Sequence, residues 1–279
     1  MSDDSSRASA AGLATLWDDL NRDGYALTTD HALGLSPKFT PNFRKSYFNE
    51  RYLRHDDGDW PRDRERARDV IRYEWADDGL RVEEYETIVI TDRSGIKGPR
   101  LHSRIEMLAE HSARDLVERL LSLVPPDRRQ PEGTFGVNFF RTYSDVVTKP
   151  HRDEEEFIII YVLHRDGDGA ETYLYQDDPG ADEQEYLSPV LKHQLNPGDL
   201  IIFEDKAFLH GATPLIAPSS GRSMRDALVC TVDNRTTYLD RLSGPRAGLT
   251  PRPRSHYAPA ARWPNSIASL IQQFRSSPR

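Results

Sequence analysis

The chain is poor in sulfur, in long apolar runs and in excess positive charge. Of its 279 residues one is cysteine, Cys230, and three are methionine. A lone cysteine forms no internal disulfide, so the fold cannot depend on one, and this usage fits a reducing cytoplasm. Cys230 lies in the apolar run 227–232 and reads as a buried filler, not as a nucleophile. No apolar run approaches the roughly 18–20 residues that span a bilayer, which excludes a transmembrane helix. The first residues are polar and include Asp3 and Asp4, unlike a secretory signal or a transit peptide. Residues 1–10 are therefore expected to form a disordered arm. Lys and Arg total 37 against 45 Asp and Glu, a net charge of −8. That balance disfavours nucleic-acid backbones and anionic membranes as partners. Arg62, Arg64, Arg66 and Arg68 do cluster, but acids interrupt them, and the segment reads as the solvated face of a charged helix over Arg62–Tyr73.

What the chain does contain is enough length for a substantial core. Residues 11–279 read as a single domain in three stretches. The first, 11–132, is mixed and mostly helical. A helix is expected over Leu13–Leu20, strands over Tyr25–Thr28 and Glu86–Thr91, and an amphipathic helix over Ile105–Leu123 that Pro125 and Pro126 terminate. The second, 133–234, is β-rich. Short apolar runs at Phe135–Tyr143, Phe157–Leu163, Glu171–Gln176, Pro189–Gln194, Leu200–Phe203 and Ala227–Val232 alternate with Gly, Pro and Asp. That texture predicts a sandwich or barrel of many short strands. Asp166–Gly169 is expected to be a hairpin turn and Asn196–Asp199 a tight turn. The third stretch, 235–279, is polar and Pro-rich until a last helix with Ile267, Leu270, Ile271 and Phe274 on one face.

His-x-Asp occurs three times, so the triplet alone identifies nothing. His55–Asp57 lies in a charged loop with no strand expected on either side, and His164–Asp166 enters the expected hairpin turn. His151–Asp153 instead stands between two strands. Residues i and i+2 of an extended segment point the same way, so His151 and Asp153 present two ligands from one strand end. A 2-His-1-carboxylate iron site needs a third ligand from a distant strand, leaving open positions for co-substrate and O2. His210, 57 positions past Asp153 within Phe208-Leu-His-Gly211, meets that need. A 2-oxoglutarate enzyme also needs a cation for the distal carboxylate, for which the arginine fork is suited. Arg225 opens the strand 226–232, expected to run beside the strand carrying His210, and Arg222 in the preceding loop is the competitor.

These residues resemble a family. Asn138-Phe-Phe-Arg141, Lys149-Pro-His-Arg-Asp153, Gly169-Ala-Glu-Thr172, His210-Gly-Ala-Thr-Pro214 and Arg225-Asp-Ala-Leu-Val229 are similar, in order and spacing, to blocks of the bacterial 2-oxoglutarate–Fe(II) dioxygenases typified by L-isoleucine 4-hydroxylase. The resemblance covers about residues 133–232. It implies an α+β, mainly β fold, a double-stranded β-helix (jelly roll) flanked by helices. It also implies Fe(II), 2-oxoglutarate and O2 as cofactor and co-substrates, and hydroxylation of an unactivated C–H bond of a free amino acid. Succinate and CO2 are the by-products. The carboxylate ligand Asp153 occupies the position that a halide would need. Members of the family often carry glycine after the His-x-Asp triplet, whereas Glu154, Glu155 and Glu156 follow here.

The substrate residues stay open at this stage. Arg141 could bind a substrate carboxylate or point outward, and Asn138 and Tyr143 are subject to the same strand alternation. One of Glu154, Glu155 and Glu156 could pair with a substrate amino or guanidinium group, which would suit a polar or basic amino acid. The alternatives are an oxygenase tailoring a natural-product intermediate or a carrier-bound amino acid, and a non-catalytic cupin-like metal- or ligand-binding protein. The expected partner is a small amino acid, with no nucleic acid or membrane, and a homodimer is compatible with the sequence.

Overall fold

The computed structural model describes residues 4–232, apart from 56–63, 78, 86–88, 92–98, 102–103, 144–147, 154, 177–187 and 219–220. The expected C-terminal helix over Ile267–Phe274 lies outside the described residues. Among the described residues no helix is long and apolar enough to cross a membrane.

The chain opens with helix α1 (Asp4–Asp23), which reaches into the stretch expected as an arm. Leu16 and Leu20 on one face of α1 are buried, with Leu13 and Trp17 packed beside them. Gly24 ends the helix in the left-handed region, φ 76°, donating its N–H to the Leu20 carbonyl. A Cβ there would stand 2.9 Å from the Phe208 ring, so glycine permits both the turn and the close approach. Strand β1 (Tyr25–Thr29) follows, then helix α2 (Phe39–Tyr47) and strands β2 (Arg54–His55), β3 (Arg64–Ala76), β4 (Gly79–Glu84), β5 (Val89–Thr91) and β6 (Pro99–Leu101). A 3-10 turn over Met107–Ala109 precedes helix α3 (His111–Ser122). The remaining strands are β7 (Glu132–Thr142), β8 (Thr148–His151), β9 (Phe157–Asp166), β10 (Asp168–Gly169), β11 (Thr172–Gln176), β12 (Leu191–His193), β13 (Asp199–Glu204), β14 (Phe208–Ala212), β15 (Leu215–Ile216) and β16 (Met224–Val232).

Two antiparallel sheets dominate. The larger runs β1-β13-β9-β16-β7-β3-β2, with β4 also on β3, and the smaller runs β12-β11-β14-β8. This is the mainly β, double-stranded β-helix arrangement expected, with helices flanking the larger sheet. The larger sheet has two differently used faces, because successive side chains of a strand point to opposite sides. Phe135, Val137 and Phe139 of β7, with Ile159 and Tyr161 of β9, join the helices in one core. There Phe139 meets Phe43, Tyr47 and Phe48 at ring-centroid distances of 6.2, 5.9 and 5.6 Å, which locks α2 onto the sheet. Ile158, Ile160 and Val162 face the other way. They pack with Leu174, Ile201, Phe203 and Phe208 between the two sheets.

Several expectations are corrected. The segment read as a charged helix is the thirteen-residue strand β3, paired with β7 along its length. Its period is two: Ala67, Ile71 and Tyr73 enter the helix-side core while arginines alternate with them. His55 is not in an isolated loop but ends β2, opposite Glu65. The expected helix 105–123 is helical only from His111, and Ile105 instead follows a bridge between Arg68 and Arg104. Asp166–Gly169 is no hairpin, since β9 pairs with β13 and β16 while β11 belongs to the smaller sheet. The chain crosses between sheets there. Gly167 and Gly169 have φ 117° and 74°, and a Cβ on either would collide with the Ile216 or Pro214 carbonyl oxygen at 2.5 or 2.1 Å. Asn196–Asp199 is the tight turn expected, closed by the Asp199 N–H on the Asn196 carbonyl at 2.9 Å. Finally, β16 lies between β9 and β7, so Arg225 is carried by the sheet that faces β14 and not by a neighbour of β14.

Candidate active site

His151 closes β8 and His210 lies in β14, and the two are direct cross-strand partners. Cross-strand partners share a face, which brings their rings to 4.4 Å between centroids. That face is the one between the sheets, because His210 also contacts Phe203 at 5.1 Å. Asp153, two residues past His151, places Oδ1 3.7 Å from His151 Nε2 and Oδ2 3.7 Å from His210 Nε2. One donor atom from each of the three lies within 4.8 Å of the others. His210 is buried, whereas the side chains of His151 and Asp153 are each 40% exposed, so the cluster has an open mouth.

Two nitrogens and one carboxylate on one side of a common point are the donor set of a facial iron site. Behind His210, Asp205 is fully buried, with Oδ1 3.2 Å from His210 Nδ1. Its Oδ2 accepts the Glu155 N–H at 2.9 Å. With Asp205 beside Nδ1, Nε2 is the nitrogen left facing Asp153 and the cluster, the arrangement in which an outer carboxylate orients a metal-bound histidine. The residues present therefore fit Fe(II). Asp205 was not picked out from the sequence. The available signal was an acid in the turn feeding the strand that carries His210.

Arg225 lies on the inner face of β16, since Ala227 and Val229 of the same parity pack between the sheets. Its Nε and Nη2 are buried and meet no acceptor among the described residues. Burial, reinforced by the positive charges of Arg64 and Arg165, pushes its pKa down to about 10. Arg165 arrives on this side through a register shift in the β9–β16 pairing, after which it stands opposite Arg225. Buried guanidinium donors with cations beside them and no acid facing them among the described residues suit an anion. Arg222 differs. It is exposed and stacks over the Tyr143 ring with Cζ 3.8 Å from the centroid.

Arg141 does not face the cavity. It shares the face of Phe139, where Nε and Nη2 clamp Asp226 at 2.7 and 2.8 Å and Nη2 also reaches the Phe48 carbonyl at 2.8 Å. Asp226 is fully buried and also accepts Arg44 Nε at 2.6 Å. Arg141 is thus spent on a structural ion pair, contrary to the substrate role considered for it. Tyr143 donates to Glu65 Oε2 at 3.0 Å. Asn138 has the opposite parity and faces inward. It accepts Arg68 Nη1 on Oδ1 at 2.8 Å and donates Nδ2 to the Val229 carbonyl at 3.0 Å. Of the glutamate run, Glu155 is buried, Glu156 is ion-paired with Lys206, and Glu154 lies outside the described residues.

Residues 102–231 match the family described as 2OG-Fe dioxygenase, a span that contains His151, Asp153, His210 and Arg225. No curated protein sequence matches the chain. Among solved structures, a bsmA homolog from Methylobium petroleophilum PM1 is similar with TM-score 0.65 and 20% identity, over 80% of this chain and 93% of that one. The Fe(II)/(alpha)ketoglutarate-dependent dioxygenase TqaL is similar with TM-score 0.62 and 11% identity, over 83% and 91%. IDO from Bacillus thuringiensis follows with TM-score 0.58 and 13% identity, over 79% and 98%. At such identities these structures speak for the fold. The matched span holds the His-Asp-His cluster, so this part of the chain is similar to the 2OG-Fe dioxygenases, whose chemistry uses Fe(II), 2-oxoglutarate and O2.

Proposed function

We propose that the chain hydroxylates an unactivated C–H bond of a free amino acid. One O2 and one 2-oxoglutarate are consumed for each alcohol, succinate and CO2 formed. The observation that carries the reading is the pairing of the His151–Asp153–His210 cluster with Arg225 on the sheet opposite it, whose buried Nε and Nη2 meet no acceptor among the described residues. One oxygen atom of O2 enters the substrate and the other enters succinate, chemistry that Fe(II) supplies when bound by the cluster.

The chain's own residues do the rest. His151, Asp153 and His210 would hold the metal and, with three protein donors, would leave coordination positions for small molecules. Asp205 orients His210 through Nδ1. Arg225 takes the C5 carboxylate of 2-oxoglutarate in a charge-assisted, two-pronged hydrogen bond, worth about 1.5–3 kcal/mol for each charged contact. The pKa of about 10 keeps Arg225 cationic at neutral pH. Arg222, stacked on Tyr143 at the surface, is the weaker claimant to that carboxylate. Of the run, Glu155 is the candidate for a substrate ammonium: it is buried and its N–H rests on Asp205 behind the cluster, whereas Glu156 is ion-paired with Lys206. The Ile158, Ile160, Val162 and Phe203 side chains keep water from the space between the sheets.

The test is succinate formation by purified protein supplied with Fe(II), 2-oxoglutarate, O2 and a panel of L-amino acids. Succinate should appear with an equal amount of hydroxylated amino acid, and Asp153→Ala should abolish both. Iron-loaded wild type that makes no succinate, with or without an amino acid, would refute the reading. Full activity in Asp153→Ala would refute the ligand assignment alone.

A further inference from the structure

The inner face of β3 carries a second guanidinium with buried donors. Arg68 is 5% exposed. Of its nitrogens Nη1 donates to Asn138, whereas Nε and Nη2 are buried and meet no acceptor among the described residues. Nε and Nη2 are the two donors on one side of the guanidinium plane, the fork that accepts a carboxylate bidentately. Burying such donors without an acceptor is unfavourable, and an arriving anion offsets that cost. Asn138, tied to the Val229 carbonyl, fixes the plane of the fork from the next strand.

The fork also opens at the right place. The carboxylates whose charge acts most on Arg68 are Glu155 and Asp153, the latter a member of the metal cluster. Burial lowers the pKa of Arg68 to about 10, so it remains a cation at neutral pH. Arg225 stands elsewhere: β7 aligns Asn138 with Arg68 and Val229, but Thr142 with Arg64 and Arg225. Four residues along a strand are roughly 13 Å. A 2-oxoglutarate anchored at the metal through one carboxylate and at Arg225 through the other has no carboxylate left for Arg68. The cluster and Arg225 both lie inside the family match at 102–231, while Arg68 lies outside it. That division is the one expected between shared co-substrate machinery and a substrate contact particular to this chain.

We infer that Arg68, oriented by Asn138, receives the carboxylate of the substrate, which must therefore be a free acid and not an amino acid tethered to a carrier as a thioester. This deepens the amino acid hydroxylase reading and rests on it. Glu155 beside the fork adds one negative charge to the one positive, a match for a zwitterion. A net-cationic substrate gains nothing further from such a pair, so the polar-or-basic preference suggested by the three glutamates reduces to recognition of the α-amino group.

The experiment uses Mn(II) in place of Fe(II), so that binding is read without turnover. Wild type, Arg68→Gln and Arg68→Lys are titrated calorimetrically with 2-oxoglutarate and then with each protein L-amino acid, and the tightest ligand is repeated as its carboxamide. The expected result is unchanged 2-oxoglutarate affinity, with the amino acid bound about 10–100-fold more weakly by Arg68→Gln and partly recovered in Arg68→Lys. The carboxamide should bind wild type as weakly as the acid binds the variant. This last arm needs no variant and decides the matter even if Arg68→Gln does not fold. Equal binding of acid and carboxamide by wild type overturns the inference, as does a loss of 2-oxoglutarate affinity in Arg68→Gln with amino acid binding intact. Either outcome in a protein that still forms succinate leaves the oxygenase reading standing, whereas wild type that forms no succinate fails that reading itself.

Discussion

The two faces of the larger sheet carry the same residue type to opposite ends. On the helix-covered face, Arg141 and Arg44 close on the fully buried Asp226, and every partner comes from within the protein. On the face between the sheets, Arg68 is buried and Arg225 partly so, yet each keeps a buried Nε and Nη2 without an acceptor among the described residues. The faces alternate along the same strands, for Arg225 and Asp226 are neighbours in β16. A buried charge that the fold satisfies contributes to stability, and one that it leaves unmet is held for a ligand. The contrast separates structural from functional arginines more sharply than exposure does.

The largest expected effect breaks the contrast on the helix side. Asp226→Ala leaves Arg141 and Arg44 without their shared carboxylate and should destabilise the fold by about 3–5 kcal/mol, the usual result of removing one partner from a buried pair. Denaturant unfolding reads it, and a loss below 1 kcal/mol would show the triad to be well solvated. On the inner face the sign should reverse. Arg225→Gln should leave stability unchanged or higher, while the KM for 2-oxoglutarate rises about 10–100-fold. A destabilised Arg225→Gln with normal KM would place its partner inside the protein. Next in size, Asp205→Asn should weaken metal affinity by about 10-fold or more through His210, with the KM for 2-oxoglutarate held. Competition against a chelator measures it. The smallest effect belongs to Arg222→Ala, expected to stay within about 0.5 kcal/mol in stability and to leave the KM for 2-oxoglutarate unchanged. A rise in that KM to match Arg225→Gln would return the co-substrate carboxylate to Arg222.

Reading by local pattern worked where one strand settles the question. His151 and Asp153 share a strand end, and two residues of extended chain suffice to aim both at one point. The short apolar runs from Phe135 to Val232 became β7, β9, β11, β13 and β16 with ends shifted by a few residues. It failed at β3, where Arg64, Arg66 and Arg68 alternate with Ala67, Asp69, Ile71 and Tyr73. Charge on alternate positions suggests solvation, because arginine seldom lines an interior. A period of two was nonetheless present and would have shown the strand. It failed again at Asp166–Gly169, where glycine signals a turn without saying which strands the turn joins.

By itself, then, the sequence determined most strands of the β-rich stretch, the chemistry of the ligands and their order along the chain, since these depend on neighbours one or two residues away. Only the tertiary structure decided which arginines serve the cavity. Arg141 and Asn138 differ by three positions in one strand, and alternation sends them to opposite faces, but the strand does not say which face is which. That choice follows from where the helices pack, and the register shift after Val162 then brings Arg165 beside Arg225. Whether a buried guanidinium meets Asp226 or finds no acceptor among the described residues depends on strands far apart in the chain, and no local pattern encodes it.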